Sequence, residues 1–555
     1  MIGFPRNVAN QQTAWARRRP YPTFAARGMV AAAHPLTVET GVHVLRQGGN
    51  AIDAAVAAGL TAAVVMPEMC GLGGDLFALI HDPRRGGVDS IHGSGIAPRN
   101  SSVEQMRRHG GGDGRKMPYQ GPLSISVPGM VDAYFTLLDR YGSLPFASVA
   151  EPAIAHAADG FPLQTLGAGA IAGSAEVLAR DAAAAAVFLP AGQAPTPGTI
   201  FKQTDLGRTL HQIATDGRET FYRGDVADRI LAYLGEVGGA LTHDDFADHT
   251  TEVTTPLSID YRGHTVYQTG LPTQGLIMLG ALNIIEHAPA PLDPLSAGDV
   301  HLMVEAKKLA YADRLRHAGD PTFVSTPLDD MLSKPWAKDR HASIDPTRAG
   351  ASMLAGQHQS GDTTYICVVD GDGMMVSLIQ SVSSAFGSGV VGGDTGVVLN
   401  NRAGRGFTLE EGHPNTYAPG KKTMHTLNCF LIADEQGRPV LVGGTPGGDG
   451  QPQWNMQTIV GMVDAGLDVQ AAIELPRWTS WPGTDPLSID NPFELRIEDR
   501  MGADTIASLA ALGHDVRTVG AWSAGGASQV IVRDPTTGVM AGGSDPRVEG
   551  SALGF

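Results

Sequence analysis

Over the first two-thirds of the chain, apolar positions recur mainly at helical spacing, and regular structure is expected to begin near Gly28. Thr37 offers a cap for a helix running to about Gln47, where Gly48-Gly49 stops it. Asn50 offers a second cap, for an alanine-rich helix over 51–66 that Pro67 ends. Small residues on every side of that helix predict burial between other elements. The run from Leu76 to His81 predicts a buried strand, and 109–116 a glycine-rich surface loop. Helical patterns follow over 129–141, 147–159, 204–216, 224–236 and 297–317. Beyond residue 363 the period shortens. Residues 364–369 and 374–379 flank Asp370-Gly371-Asp372-Gly373, a strong hairpin signal. Further strands are expected over 396–399, 428–433, 439–444, 528–534 and 539–542, with helices over 453–465, 468–474 and 502–512. Stacked antiparallel sheets with helices on both outer faces satisfy this order, so the expected class is α+β.

Composition narrows the function. With 42% apolar and 17% charged residues in 555, the chain can bury a large core or build several domains. A net charge of −17 opposes phosphate backbones, so no nucleic-acid partner is expected. Cys70, Cys367 and Cys429 are sparse, odd in number and lack CxxC spacing. They argue against a disulfide framework or a zinc site, and fit buried thiols in a reducing compartment. Residues 1–25, with Arg17-Arg18-Arg19 and no apolar run behind them, are expected to form a disordered head. No stretch of 18 apolar residues occurs. The expectation is therefore a cytoplasmic protein without a membrane partner. No HExxH and no Gly-Lys-Ser/Thr phosphate loop is present, so no metal and no cofactor is expected.

One stretch carries chemistry. A polar lead-in over 358–362 runs into Thr363-Thr364-Tyr365-Ile366-Cys367-Val368-Val369-Asp370, so a threonine opens a strand. This is what a self-cleaving enzyme with an N-terminal nucleophile requires. The Thr363 hydroxyl would cut the Asp362–Thr363 bond, and the freed α-amine would serve as its general base. The mature protein would then comprise a large chain, 26–362 behind its head, and a small chain, 363–555, together forming one unit. An unperturbed α-amine with a pKa of about 7.7–8.0 is a usable base near neutrality.

The surrounding motifs resemble the γ-glutamyltransferase family. Around the candidate cleavage site these are Thr363-Thr364, Val368-Val369-Asp370, Phe386-Gly387-Ser388-Gly389 and Asn400-Asn401. Upstream stand Gly48-Gly49-Asn50-Ala51-Ile52-Asp53, Gly71-Leu72-Gly73-Gly74, Tyr261-Arg262-Gly263, Tyr311-Ala312-Asp313-Arg314 and Gly319-Asp320-Pro321. Downstream come Thr445-Pro446-Gly447-Gly448 and Ser544-Asp545-Pro546-Arg547. Each is weak alone; in order along most of the chain they carry the resemblance. It implies the four-layer αββα sandwich of N-terminal-nucleophile hydrolases, with a largely helical large-subunit region. It implies an acyl-enzyme on Thr363 and an oxyanion hole of Gly447 and Gly448, where a plain strand-to-helix turn is the other reading. Thr364 and Ser381 would orient the nucleophile or assist cleavage, or simply pack in the sheet.

The sequence departs from the family where substrate is held. Ser94 stands in His92-Gly93-Ser94-Gly95-Ile96-Ala97-Pro98 in place of the arginine that binds an α-carboxylate. After Asn400-Asn401, Arg402 and Arg405 replace the acid that binds an α-ammonium; Ser383 replaces an asparagine, and His425-Thr426 replace paired serines. Tyr365 replaces the histidine usual beside the nucleophile. Arg402 and Arg405 are either solvated loop charges or bidentate partners for a substrate carboxylate. His425 is either structural or a ligand. These changes resemble the amidohydrolase branch of the family. The expected substrate is a small carboxylate-bearing amide such as oxamate, bound among Ser94, Ser383, Asn401, Arg402, Arg405, His425 and Thr426, with water as acyl acceptor. A true γ-glutamyltransferase or glutathione hydrolase, a cephalosporin-type acylase and an unprocessed inactive homologue are the alternatives. The expected partners are the protein's own two chains, with a dimer of such heterodimers possible.

Overall fold

Asn50 starts the buried helix Ala51–Val65 as its sequence requires: the side chain accepts from the amides of Ile52 and Asp53, and the Asp53 carboxylate accepts from Asn50 N. All fifteen residues of this helix are buried. They pack on the hairpin Asp362–Asp370/Met375–Ser383, whose turn is anchored by Asp370 accepting from Met374 N and from Ala51 N, each at 3.0 Å. A carboxylate at the first turn of a helix also complements its dipole. The computed structural model describes residues 2–4, 15–111, 114–350, 362–486 and 491–555; the side chain of Asp362 lies outside this description.

Among the described residues two seven-stranded antiparallel sheets stack face to face. The first runs Ser551–Gly554, Gly28–Ala32, Asp362–Asp370, Met375–Ser383, Asp75–His81, Asp89–Gly93, Glu252–Thr254. The second runs Thr23–Ala25, Met540–Ser544, Gln529–Arg533, Pro439–Gly444, Cys429–Ala433, His264–Gln268, Leu257–Tyr261. Met29, Phe77, Tyr365, Ile379, Leu431 and Ile531 fill the space between them. Helices Pro35–Arg46, Ala51–Val65 and Met130–Tyr141 cover the first sheet, and Gly275–Ile285, Gln451–Val463 and Val469–Ile473 cover the second. The result is the αββα sandwich. Its central hairpin, Asp362–Asp370/Met375–Ser383, is flanked by Gly28–Ala32 and Asp75–His81.

Most expected elements are present within a residue or two. The first helix is Pro35–Arg46, however, and its cap is His34, whose Nδ1 accepts from Leu36 N; Thr37 lies buried inside the helix. Residues 396–399 form only isolated bridges, because the backbone there pairs singly with Val391 and Gly73. The disordered head is not what the described part of 1–25 shows. Ile2 is buried, Gly3 bridges Asp468, the amides of Arg18 and Arg19 donate to the Glu474 carboxylate, and Thr23–Ala25 adds a strand. The lead-in 358–361 lies outside the described residues. The three thiols are free and buried, and among the described residues no helix is long and apolar enough to cross a membrane.

Candidate active site

Thr363 sits where the strand Asp362–Asp370 slips register against its hairpin partner, between Asp362 and Thr364. Such a bulge re-aims a side chain. Thr363 is buried, and its Oγ1 donates to Ser381 Oγ at 3.2 Å. Ser381 Oγ also accepts from Ser383 N at 2.7 Å, across a Ser383 backbone with φ of 89°. Register carries the row onward: Ser381 faces Asp75, and Leu76 faces Gly93, which sets Ser94 beside Asp75. Hydroxyl, hydroxyl, carboxylate and hydroxyl therefore line up across four strands or their extensions.

A buried polar cluster closes over this row. Arg402 Nε donates to Asp75 Oδ2 at 2.9 Å; Arg405 donates from Nε to Asp485 Oδ2 at 3.1 Å and from a terminal nitrogen to Ser383 O at 2.6 Å. His425 Nδ1 lies 3.8 Å from Asp75 Oδ2, with its ring edge-on to Phe77. Several polar atoms here are buried without a hydrogen-bond partner: Asp75 Oδ1, Ser94 Oγ, Ser383 Oγ, one Arg402 terminal nitrogen and both His425 ring nitrogens. Each such orphan costs about 1–3 kcal/mol, and native interiors keep few. Burial raises the Asp75 carboxyl to about 6 even though Arg402 opposes the shift, and burial lowers the Arg402 guanidinium. Burial, then the nearby positive charge of Arg402, holds His425 far below its ordinary value, so its ring is neutral.

Near Thr363, with Gly447 lining the same pocket, Gly447 (φ 124°) and Gly448 (φ 55°) form a turn between strand Pro439–Gly444 and helix Gln451–Val463. A Cβ on Gly447 would lie 2.1 Å from the Trp454 ring, so only glycine fits. Among the described residues, neither the Gly447 nor the Gly448 amide donates to another protein group. The turn is clamped from behind. Asp449 accepts from Thr484 N (2.9 Å), Thr484 Oγ1 (2.6 Å) and Asp485 N (3.1 Å), while Tyr311 OH donates to Asp449 O. Buried Lys307 donates to Ser480 O and Pro482 O at 2.8 and 2.7 Å and fixes the same strap. One segment, 480–485, thus joins the Gly447 turn to Arg405.

On the other side of Thr363, toward strand Gly28–Ala32, lies a cavity of about 330 Å³ lined by Thr363, Pro446, Gly447, Trp454, Trp481, Met66 and Met69 among others.

The sequence model of the γ-glutamyltranspeptidases matches residues 37–555. The chain belongs to the γ-glutamyltranspeptidase family. Within it, the glutathione hydrolase-like YwrD proenzyme of Bacillus subtilis is 38% identical over 529 residues, covering 95% of this chain and 98% of the relative. The oxamate amidohydrolase proenzyme of Klebsiella pneumoniae is 37% identical over 541 residues, covering 96% and 99%. A crystal structure of a cephalosporin acylase from Bacillus halodurans superposes with a TM-score of 0.89 at 34% identity, covering 98% of each chain. The protein is accordingly an enzyme of the N-terminal-nucleophile class.

This γ-glutamyltranspeptidase-family fold brings together most residues singled out from sequence. Thr363, Ser381, Ser383, Ser94, Arg402, Arg405 and His425 share the row and its cover. Arg402 and Arg405 are not solvated loop charges: both are buried and carboxylate-paired. Asn401 is spent on structure, accepting from Ser384 N and donating to Tyr119 O and Ser384 Oγ. Thr426 contributes a backbone carbonyl to Gln274. Thr364 points its hydroxyl toward Met66 Sδ at 3.8 Å. Tyr365 packs between the sheets with its hydroxyl 2.7 Å from Ser377 Oγ. Sequence reasoning missed Asp75, Asp449 and Asp485. Asp75 directly follows Gly71-Leu72-Gly73-Gly74, and Asp449 follows Gly447-Gly448, so adjacency to a glycine turn was the available signal.

Proposed function

We propose that this chain is a proenzyme that cuts its own Asp362–Thr363 bond and then hydrolyses small carboxylate-bearing amides, oxamate being the representative substrate. The observation carrying this reading is the Arg402 terminal nitrogen, buried without a partner beside the unpartnered Ser94, Ser383 and His425 groups on the row that ends at Thr363. A carboxylate entering this cluster gives Arg402 a charge-assisted partner and gives the hydroxyls an acceptor. The 37% identical oxamate amidohydrolase supports the same class.

In the reaction, the Thr363 α-amine takes the proton from Oγ as Oγ bonds to the amide carbonyl carbon. The Gly447 and Gly448 amides donate to the developing oxyanion. The C–N bond breaks, the nitrogen leaves with the proton, and water hydrolyses the ester to a carboxylate and the free hydroxyl. Ser381 positions Oγ throughout.

A second reading has its own observation. Asp75 Oδ1 is unpartnered beside Arg402, so the pair can face an α-ammonium and an α-carboxylate together. Sequence position alone leaves no acid for that ammonium; the fold supplies one from another strand. The test is ammonia release from oxamate against glutamate release from glutathione with purified two-chain enzyme. Faster turnover of oxamate supports the first reading; glutamate release with oxamate untouched overturns it in favour of the second.

A further inference from the structure

Helix Ala297–His317 carries Lys307, Tyr311 and Arg314 at spacings of four and three, which puts them on one face. The first two are spent on the strap behind the Gly447 turn: Lys307 donates to Ser480 O and Pro482 O, and Tyr311 OH donates to Asp449 O. Arg314, next along that face, is only 5% exposed, yet its Nη1 has no hydrogen-bond partner. Its one ion pair among the described residues is with Asp449, 3.9 Å from Nη1 to Oδ1 and beyond hydrogen-bond reach. That carboxylate is already held by the Thr484 amide and hydroxyl and by the Asp485 amide. A buried donor left unmet is costly, more so on a charged group, and a guanidinium does not shed its proton to escape the cost.

Arg314 lines a pocket of about 40 Å³ that shares no wall residue with the polar row or with the cavity beside Thr363. Two loops close it: Leu409 N donates to Arg115 O, and Lys116 bridges Thr408. The end of the glycine-rich stretch, Gly114-Arg115-Lys116, thereby brings two more cations to the wall. His413 adds a neutral donor. Its Nδ1 accepts from Asn415 N at 3.0 Å, so the uncharged ring carries its proton on Nε2. Burial, then the charges of Arg314 and Lys421, lower its pKa to about 4, which keeps the ring uncharged near neutral pH. Against three cations the wall holds one acid among the described residues, the exposed Glu410.

Size and shape select among anions. Roughly 10–15 Å³ holds one water, so the pocket has room for about three water-sized atoms, the number of heavy atoms in a carboxylate head. The planar guanidinium fork meets a carboxylate with two parallel hydrogen bonds, which a spherical halide does not reproduce. We propose that this pocket binds a small carboxylate anion of the size of formate or acetate, held by Arg314 and His413 and apart from the groups that carry out the amide chemistry. The site is independent of the substrate reading above. It adjoins the Gly447 turn through Thr484, which lines the pocket and also holds Asp449.

The test is calorimetric titration of sodium acetate, and separately of sodium chloride, into purified protein carrying Arg402→Gln with Asp75→Asn, so that the polar row no longer offers its own arginine. Ionic strength is held with sodium HEPES, whose bulky sulfonate does not fit the pocket. Acetate should bind saturably, one per protein, and at least tenfold more tightly than chloride. Adding Arg314→Gln should weaken acetate at least tenfold, and adding Arg115→Glu, at an exposed position, at least threefold. A single cooperative melt shows that each variant folds; where Arg314→Gln does not, Arg115→Glu decides. Absence of saturable acetate binding, chloride binding as tight as acetate, or an affinity unmoved in the folded variants overturns the site and leaves the hydrolase reading in place.

Discussion

Replacing Arg402 by glutamine separates substrate binding from fold stability. In the parent, Arg402 Nε meets Asp75 at 2.9 Å while a terminal nitrogen has no protein partner. Removing a buried partner of a substrate carboxylate costs about 2–5 kcal/mol, or roughly 30-fold to several-thousand-fold in kcat/KM. The same change leaves the Asp75 carboxylate buried alone, which destabilises by about 3–5 kcal/mol. The second effect is removable. Arg402→Gln with Asp75→Asn leaves no charge in the pair, so thermal stability should recover toward the parent while kcat/KM stays low. Ammonia release from oxamate gives the kinetics, calorimetry the stability, and denaturing electrophoresis shows whether the chain still cleaves. Hydrolysis by Arg402→Gln within threefold of the parent would refute the assignment, whatever happened to its melting temperature.

Gly447→Ala pushes a methyl group into Trp454 and misdirects an oxyanion donor, so kcat should fall about 10²–10³-fold and self-cleavage should slow in parallel. Asp449→Asn weakens the clamp on residues 484–485; kcat should fall more than tenfold, and the isosteric side chain should keep the melting temperature within a few degrees. Stability should also depend on pH through Asp75. Its folded carboxyl sits at about 6 against an unfolded value near 3.9, so the folded chain binds that proton more tightly. The contribution is full below about pH 4 and is lost as pH rises through about 6, a change of about 3 kcal/mol that Asp75→Asn should abolish.

Local signals were read correctly wherever the determining atoms lie within a few residues. Asn50 caps its helix because both partners of the capping box are three positions away, and the Asp370–Gly373 turn closes its hairpin for the same reason. Thr37 lost its place as a cap because the His34 ring accepts the amide that a cap must satisfy and Pro35 begins the helix. At the site, the motifs located Thr363, Ser381, Gly447 and Arg402, but not what they touch. Asp75 lies 327 positions from Arg402, and Asp485 80 from Arg405, so no spacing rule connects them. The acid beside Arg402 thus comes from a strand far away in sequence. The cavity was invisible for a related reason: its wall is assembled from many separate segments, none of which carries a pattern of its own.

The mechanism depends on Thr363 becoming a chain terminus, and sequencing the amino termini of the active enzyme tests this most directly. The account predicts two chains, the smaller beginning Thr-Thr-Tyr-Ile-Cys, and a single uncut 58.0 kDa chain without activity for Thr363→Ala. Full activity in material with no terminus at Thr363, or cleavage that survives Thr363→Ala, would contradict it.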